Sequence, residues 1–385
     1  MLKFKSDGNE KYLRLILYVC QVDEKVYQIA LSLLTGVGPV KAKTIVSHLG
    51  SVEAVFSENE KSLGLIPGIG QAGVKNLNRV DALRRAEEEL SYINKNAIDF
   101  YFYQDKQFPS KLNNCDDGPL ILFTKGNVNL NKKNIAIVGT RKASAYGKAL
   151  TKQLVEELIE QNIQIVSGLA FGIDIEAHKA ALKHNIPTIA VLGHGLDLIY
   201  PAAHKSTAKA MLENGGLVTE FLSHSAGDTS NFVKRNRIVA GLCDATVVIE
   251  SALSGGSLIT ANLANDYNRD VFAFPGNVDQ EFSKGCNDLI QRDKAHLITS
   301  AQDLIRIMGW KESNPKNENI QHTLFQDLTK EEEKIVAVLR EKGEQEIDNL
   351  SYAVELPASS LSYNLFNLEM KGLIKVAPGK RYSLI

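Results

Sequence analysis

Four short segments carry residue types that hold phosphate: Gly139-Thr140-Arg141, Ser167-Gly168, Gly193-His194-Gly195 and Arg235-Asn236-Arg237. They fall at predicted strand-to-helix turns, where backbone N–H groups face outward and guanidinium groups offer paired donors to phosphate oxygens. No obvious nucleophile, metal cage or phosphate-loop lysine accompanies them. The pattern therefore points to binding of a phosphate-rich partner before chemistry on it, and no catalytic residue, metal ligand or cofactor is expected.

The run Phe232-Val233-Lys234-Arg235-Asn236-Arg237 sets three cations and an amide behind an aromatic ring. Arginine can pair bidentately with phosphate while Phe232 offers a face to a base. At helical spacing Lys234 and Arg237 share one side and Arg235 points elsewhere, so at least one cation is expected to be structural, with Glu250 as a candidate partner. Ser254-Gly255-Gly256-Ser257 ends a strand region and opens a helix, which suits an anion nest. Asp174 and His178, four apart, could form an acid/base pair, but no third orienting group follows at motif spacing. Asp174 is expected instead to hold the turn Ser167-Gly168-Leu169-Ala170.

Two nucleotide folds are disfavoured. Gly139-Thr140-Arg141-Lys142-Ala143-Ser144 has one glycine and a bulky cation where a dinucleotide fingerprint needs the second glycine, and Gly147-Lys148-Ala149 lacks the spacing and hydroxyl of a phosphate-binding P-loop.

Charge places a further limit. The 385 residues carry 44 basic and 45 acidic side chains, a formal net charge of -1. Residues 131–300 alone balance at 17 against 17, so a polyanion site must come from placement. Four separated cysteines, Cys20, Cys115, Cys243 and Cys286, fit reduced thiols in a cytosol better than a disulfide or zinc framework. The apolar run Leu13–Cys20 is too short to span a bilayer and contains Arg14, so a cytoplasmic protein with no membrane association is expected.

The elements that must position these groups follow from periodicity. From Asn134 onward, short β-branched runs alternate with amphipathic helices. The runs are Asn134–Val138, Ile163–Val166, Thr188–Leu192, Leu217–Glu220, Ala245–Glu250 and Asp270–Phe274. This predicts an α/β fold with a Rossmann-like, doubly wound parallel sheet, whose ligands bind outside the carboxyl ends of the strands. Upstream, Leu34–Ala42 and Leu65–Gly73 repeat a helix, G-x-G turn, helix pattern similar to paired helix-hairpin-helix motifs. Lys41, Lys43 and Lys75 are placed to assist a phosphate contact there. Downstream, three helical stretches and a hairpin closed by Pro378-Gly379-Lys380 predict a winged helix whose recognition helix has only Lys371 as a cation, which fits protein docking or a structural role at least as well as DNA reading. The expected division is a helical domain over 1–100, the core over 101–310, a linker over 311–323 and a winged helix over 324–385.

Taken together, Ile135–Arg141, Val166–Ala170 with Gly172-Ile173-Asp174, Ala190–Gly193 with Tyr200-Pro201, Arg235–Ile238, Gly256–Ala261 and Phe274-Pro275-Gly276 resemble the DNA-processing protein A (DprA, Smf) family in order and spacing. The resemblance implies a homodimeric, nonenzymatic single-stranded DNA binder that protects incoming DNA and helps load the RecA recombinase in natural transformation. Carried over by motif, the expected DNA contacts are Gly139, Arg141, Ser167, Gly168, Lys205, Phe232, Lys234, Arg235, Asn236, Arg237, Gly256 and Ser257. His204 departs from the asparagine common after the Tyr-Pro turn, which bears on Lys205. One alternative is a nucleotide-processing enzyme, because Ser254–Asn262 partly resembles the phosphate loop of phosphoribohydrolases. However, Asn262 stands where their glutamate would be. A protein-interaction scaffold is the other alternative.

Overall fold

The computed structural model describes residues 23–310, 328–371, 373–377 and 381–384. They fall into two compact units, divided between the helix Ala301–Ile307 and the helix Lys330–Lys342.

In the first unit the apolar runs pair into one nine-stranded sheet: β1 (Asp99–Phe102), β2 (Ile121–Gly126), β3 (Asn134–Val138), β4 (Gln164–Ser167), β5 (Thr188–Val191), β6 (Gly215–Thr219), β7 (Ala245–Val248), β8 (Asp270–Ala273) and β9 (His296–Leu297). The spatial order is β1-β2-β6-β5-β4-β3-β7-β8-β9. All neighbours from β6 to β9 are parallel, whereas β1 and β2 add an antiparallel margin. Every residue of β3 to β7 is buried, as expected of parallel strands covered by helices on both faces, and their mostly apolar composition follows from that. The chain winds one way from β3 to β6 and then returns to β7 on the other side of β3. The sheet's switch point therefore lies between β3 and β7, and a crevice opens at their carboxyl ends.

The sequence pattern omits β1, β2 and β9. The first two lie outside the strand-helix rhythm, and β9 has only two residues. Helices absent from the pattern also appear, including Lys205–Met211 and Lys284–Gln291.

The helices before the sheet run from Glu24–Leu31 through Pro39–Leu49 to the long Arg79–Lys95. Their hairpin turns use glycine for its backbone freedom: Gly36, Gly68 and Gly70 have φ of 75°, 84° and 67°. Side-chain caps from Ser51 and Asn59 start the next two short helices. These helices share one apolar core with the sheet, since Ile29, Phe56 and Leu83 belong to the same cluster as Phe102, Phe123 and Leu217. Lys43 is half-buried over the Tyr103 ring, 5.6 Å from its centroid, and burial lowers its pKa.

The second unit is a winged helix. The helices Lys330–Lys342, Ile347–Val354 and Ala358–Met370 accompany a three-stranded antiparallel sheet of β10 (Gln345–Glu346), β12 (Arg381–Leu384) and β11 (Ile374–Ala377). Thr329 and Glu332 form a reciprocal capping box at its start. The run Leu13–Cys20, the expected linker over 311–323 and the turn Pro378-Gly379-Lys380 lie outside the described residues. Cys115, Cys243 and Cys286 are buried free thiols. Among the described residues, no helix is long and apolar enough to cross a membrane.

Candidate nucleic-acid interface

The turn after β3 packs closely. A Cβ on Gly139 would come within 2.8 Å of Ile173 Cβ and 3.0 Å of the Glu250 carbonyl, so only glycine lets the chain pass there. Beyond it, Arg141 and Lys142 are exposed, and neither forms an ion pair among the described residues. Glu250 does not pair with the arginine segment as the sequence suggested. Its carboxylate accepts from Ser144 Oγ at 2.5 Å and Ser144 N at 3.0 Å, at the start of the helix Ala145–Glu157, where a negative charge is favoured.

The turn after β4 is held from below. Asp174 Oδ2 accepts the Gly168 and Ala170 N–H groups at 3.1 and 3.3 Å, the role expected of it. Ser167 is fully buried and donates to the Ile137 carbonyl. His178 turns to Thr188 Oγ1 at 2.7 Å, so Asp174 and His178 serve separate partners. His204 is buried, with Nδ1 2.8 Å from the Leu169 carbonyl, and ties the segment after Tyr200-Pro201 to this turn. Lys205 follows it, exposed at the start of a helix.

The helix Thr229–Leu242 forms one wall. Asp228 caps it by accepting the Asn231 N–H at 2.7 Å. The three cations of this helix go three ways. Arg235 is 5% exposed, donates through Nη1 to the Val191 carbonyl and crosses over Gly168. Burial lowers its pKa, with Asp174 opposing that and Arg141 adding to it. Asp174 in turn has its pKa raised by burial, against the pull of Arg235. Arg237 forms a mostly buried ion pair with Glu220, which takes it from the set of free phosphate ligands. Lys234 is exposed but does not line the cleft. Phe232 lies against Gly193, where a Cβ would come within 2.7 Å of the ring, and its centroid is 5.7 Å from that of Tyr200.

The opposite wall is the loop Ser254–Gly255 and the helix Gly256–Asp266. Ser257 Oγ donates to Ser251 Oγ at 2.8 Å, while Gly256 faces open space. Between the walls lies a cleft of about 770 Å³ at the switch point. It brings together Gly139, Arg141, Gly168, Phe232, Arg235, Asn236, Gly256 and Ser257, and leaves out Ser167, Lys205, Lys234 and Arg237. Sequence reasoning missed Lys142 and Tyr200 on the cleft, and Phe171 on a small side cavity beside Tyr200 and Phe232. Lys142 adjoins Arg141, and Tyr200 lies in a Tyr-Pro pair, so both left a trace in the sequence.

The cleft thus offers exposed cations, the uncapped start of the helix Gly256–Asp266, and the exposed Tyr200 ring beside the half-buried Phe232 in one space, although Asp174, Asp228 and Glu281 also line it. Arg235 is 5% exposed with Nη1 bound to the Val191 carbonyl, so Arg141 and Lys142 supply most of the cleft's accessible positive charge.

The sequence profile described as DNA recombination-mediator protein A matches residues 99–309, and that of a SAM-like helix-hairpin-helix tandem matches residues 29–79. The chain is 31% identical to protein Smf of Synechocystis sp. over 93% of its length and 98% of that protein. It is 41% identical to DNA processing protein DprA of Streptococcus pneumoniae over 52% of its length and 71% of that relative. Among solved structures, that of DprA from Streptococcus pneumoniae aligns with TM-score 0.63 at 32% identity, covering 73% of this chain and 97% of that one. DNA processing protein A from Helicobacter pylori, whose structure is described in terms of its single-stranded DNA binding mode, aligns with TM-score 0.50 at 29% identity over 55% of this chain and 95% of that one. The first profile begins with β1 and ends after β9, so it takes in the whole sheet and both cleft walls; the chain belongs to the DNA recombination-mediator protein A family.

Proposed function

We propose that the cleft between β3 and β7 binds single-stranded DNA without sequence preference and without catalysis. Arg141 and Lys142 neutralise phosphates, the amides that open the helix at Gly256 fix the backbone, and bases stack on Phe232 and Tyr200. The observation that carries this reading is the exposure of two unpaired cations beside a ring pair in one cleft. Duplex DNA keeps its base faces stacked inside, so it could use the cations but not the rings.

In this reading the protein is a cytoplasmic homodimer that protects incoming strands and helps deliver them to the RecA recombinase. Segment 1–100 serves as a helical domain, 101–310 as the DNA-binding core, 311–323 as a linker and 324–385 as a winged helix. The single-stranded DNA binding described for the Helicobacter pylori relative supports it. The nucleotide-enzyme reading draws less support, because Asn262, at the position of the missing glutamate, is exposed and accepts from Lys294 Nζ at 3.3 Å.

Fluorescence anisotropy of labelled single-stranded and duplex oligonucleotides of equal length, across a salt series, tests the proposal. A strong single-strand preference that weakens with salt is expected. Weak binding indifferent to strandedness, or product release from nucleoside monophosphates, would overturn it.

A further inference from the structure

The helical segment reaches the cleft through one buried carboxylate. Glu89, on the helix Arg79–Lys95, is 2% exposed. Its Oε1 accepts the Ser223 N–H at 2.9 Å and its Oε2 accepts Ser223 Oγ at 2.5 Å. Arg85, one turn earlier, donates through Nη2 to Glu89 Oε2 at 2.9 Å and to the Ser223 carbonyl at 2.6 Å. Ser223 thus has its amide, hydroxyl and carbonyl all held by two side chains from more than a hundred residues away in sequence. Burying this carboxylate is costly unless its oxygens are paired, and Ser223 and Arg85 both bond to them.

Ser223 begins a segment whose remaining residues are fixed in turn. The His224 N–H donates to Asp197 Oδ1 at 3.0 Å, and His224 has a φ of 63°. The Ser225 carbonyl accepts from Gly195 N at 3.3 Å, and the Ala226 carbonyl accepts from Asn231 Nδ2 at 3.2 Å. Gly227, Asp228 and Thr229 then line the cleft and open the helix that carries Phe232, Arg235 and Asn236. Three residues, His224 to Ala226, separate the Glu89 anchor at Ser223 from the cleft rim at Gly227.

We infer that Glu89 is a positioning residue for the DNA cleft: with Arg85 it fixes Ser223 and so sets the height and angle at which the helix Thr229–Leu242 presents its ring and donors. The helical segment then contributes to strand binding without touching the strand. This rests on the single-stranded DNA reading of the cleft, but the coupling itself concerns the protein alone.

The test uses the full chain and four versions: wild type, Glu89→Ala, Glu89→Gln and Ser223→Ala. Hydrogen exchange without DNA is read for residues 221–232, with β4 as internal control, alongside anisotropy with a labelled single-stranded oligonucleotide. Expected in Glu89→Ala is exchange at least tenfold faster over 221–232 with β4 unchanged, and binding weakened about tenfold. Glu89→Gln, which keeps an acceptor for the Ser223 amide, should recover most of both. Ser223→Ala, which removes one hydroxyl and leaves the backbone anchors, should show the same pattern more mildly and covers the case in which Glu89→Ala does not fold. Unchanged exchange over 221–232 in the folded variants, or faster exchange with strand affinity at the wild-type level, would overturn the inference. Failure of the wild type to bind the oligonucleotide would overturn the DNA reading, and the exchange measurements would still decide the coupling.

Discussion

Gly168 vacates the space that the Arg235 guanidinium occupies: a Cβ on Gly168 would overlap Nη1, Cζ and Nη2 of that side chain. The overlap is not relieved by a flexible tip swinging into solvent, because Arg235 is buried and Nη1 is held by the Val191 carbonyl. Gly168→Ala should therefore push Arg235 off the Val191 carbonyl and disturb the cleft floor. Overpacking of this kind costs about 1–3 kcal/mol. Urea denaturation should show that loss, and strand affinity should fall with it; full stability would mean that the turn shifts freely.

Arg141 and Arg237 should respond oppositely to truncation. Arg141 is exposed on the cleft, so Arg141→Ala should leave stability within about 0.5 kcal/mol of wild type. Strand binding should weaken on every base composition, and the log-log salt slope should flatten by about 0.7 for each phosphate that is no longer neutralised.

Arg237→Ala strands a carboxylate. Glu220 is mostly buried, and burial raises its pKa against the pull of Arg237. Removing one member of such a pair costs about 3–5 kcal/mol. A carboxyl with a raised folded pKa contributes stability below its unfolded pKa and loses it as pH rises through the folded value. The variant's deficit should thus shrink at acid pH, where Glu220 is protonated. Denaturation midpoints at neutral and mildly acid pH read this directly, and a deficit that grows on acidification would contradict it.

That contrast marks what the sequence could reveal. The parallel strands were legible because burial on both faces leaves mostly apolar runs, and the turns at Gly139, Ser167-Gly168 and Gly193 were legible because they follow those strands; Arg235-Asn236-Arg237, expected at such a turn, lies instead inside the helix Thr229–Leu242. β1 and β2 were not legible, since an antiparallel margin has no helix spacing to announce it. Within the site, helical spacing already set Arg235 apart from Lys234 and Arg237, but only the partners show what each cation does. Glu220 follows β6 seventeen residues before Arg237, and Asp174 lies on another helix, so the fates of these cations are tertiary facts. The pairing of Tyr200 with Phe232 is likewise made by two distant segments meeting at the rim.

His178 should give the fold an acid-sensitive component. It has no exposed surface, and burial, assisted by the charge of Arg235 and by His204, pushes its pKa down to about 3 from 6.5. A histidine with a depressed folded pKa stabilises the fold above its unfolded pKa, and that contribution is lost as pH falls from 6.5 toward 3. The slope approaches about 1.4 kcal/mol per pH unit in that window, because only the unfolded chain takes up the proton. Asp174, whose pKa is raised, works in the opposite direction at the acid end, so the His178 contribution is best read as a difference. His178→Gln should be less stable than wild type at pH 7, and the gap should close as pH drops below about 6. Parallel stability profiles for the two proteins would contradict this, because they would mean that the ring takes up its proton in the fold as readily as in the unfolded chain.

The ring pair decides between strand binding and generic attraction of polyanions. Tyr200 is 54% exposed and Phe232 half-buried, and their planes are inclined by 33°. Such rings add little to the fold but give a base a face to stack on, worth about 1–3 kcal/mol per base. Tyr200→Ala should therefore lower single-strand affinity by about tenfold or more while leaving the salt slope unchanged, since every phosphate keeps its cation. Abasic oligonucleotides should bind wild type about as weakly as normal ones bind Tyr200→Ala. If the variant instead lost salt dependence, or bound abasic and normal strands as differently as wild type does, the rings would not be the stacking surface and the cleft would be recognising phosphate alone.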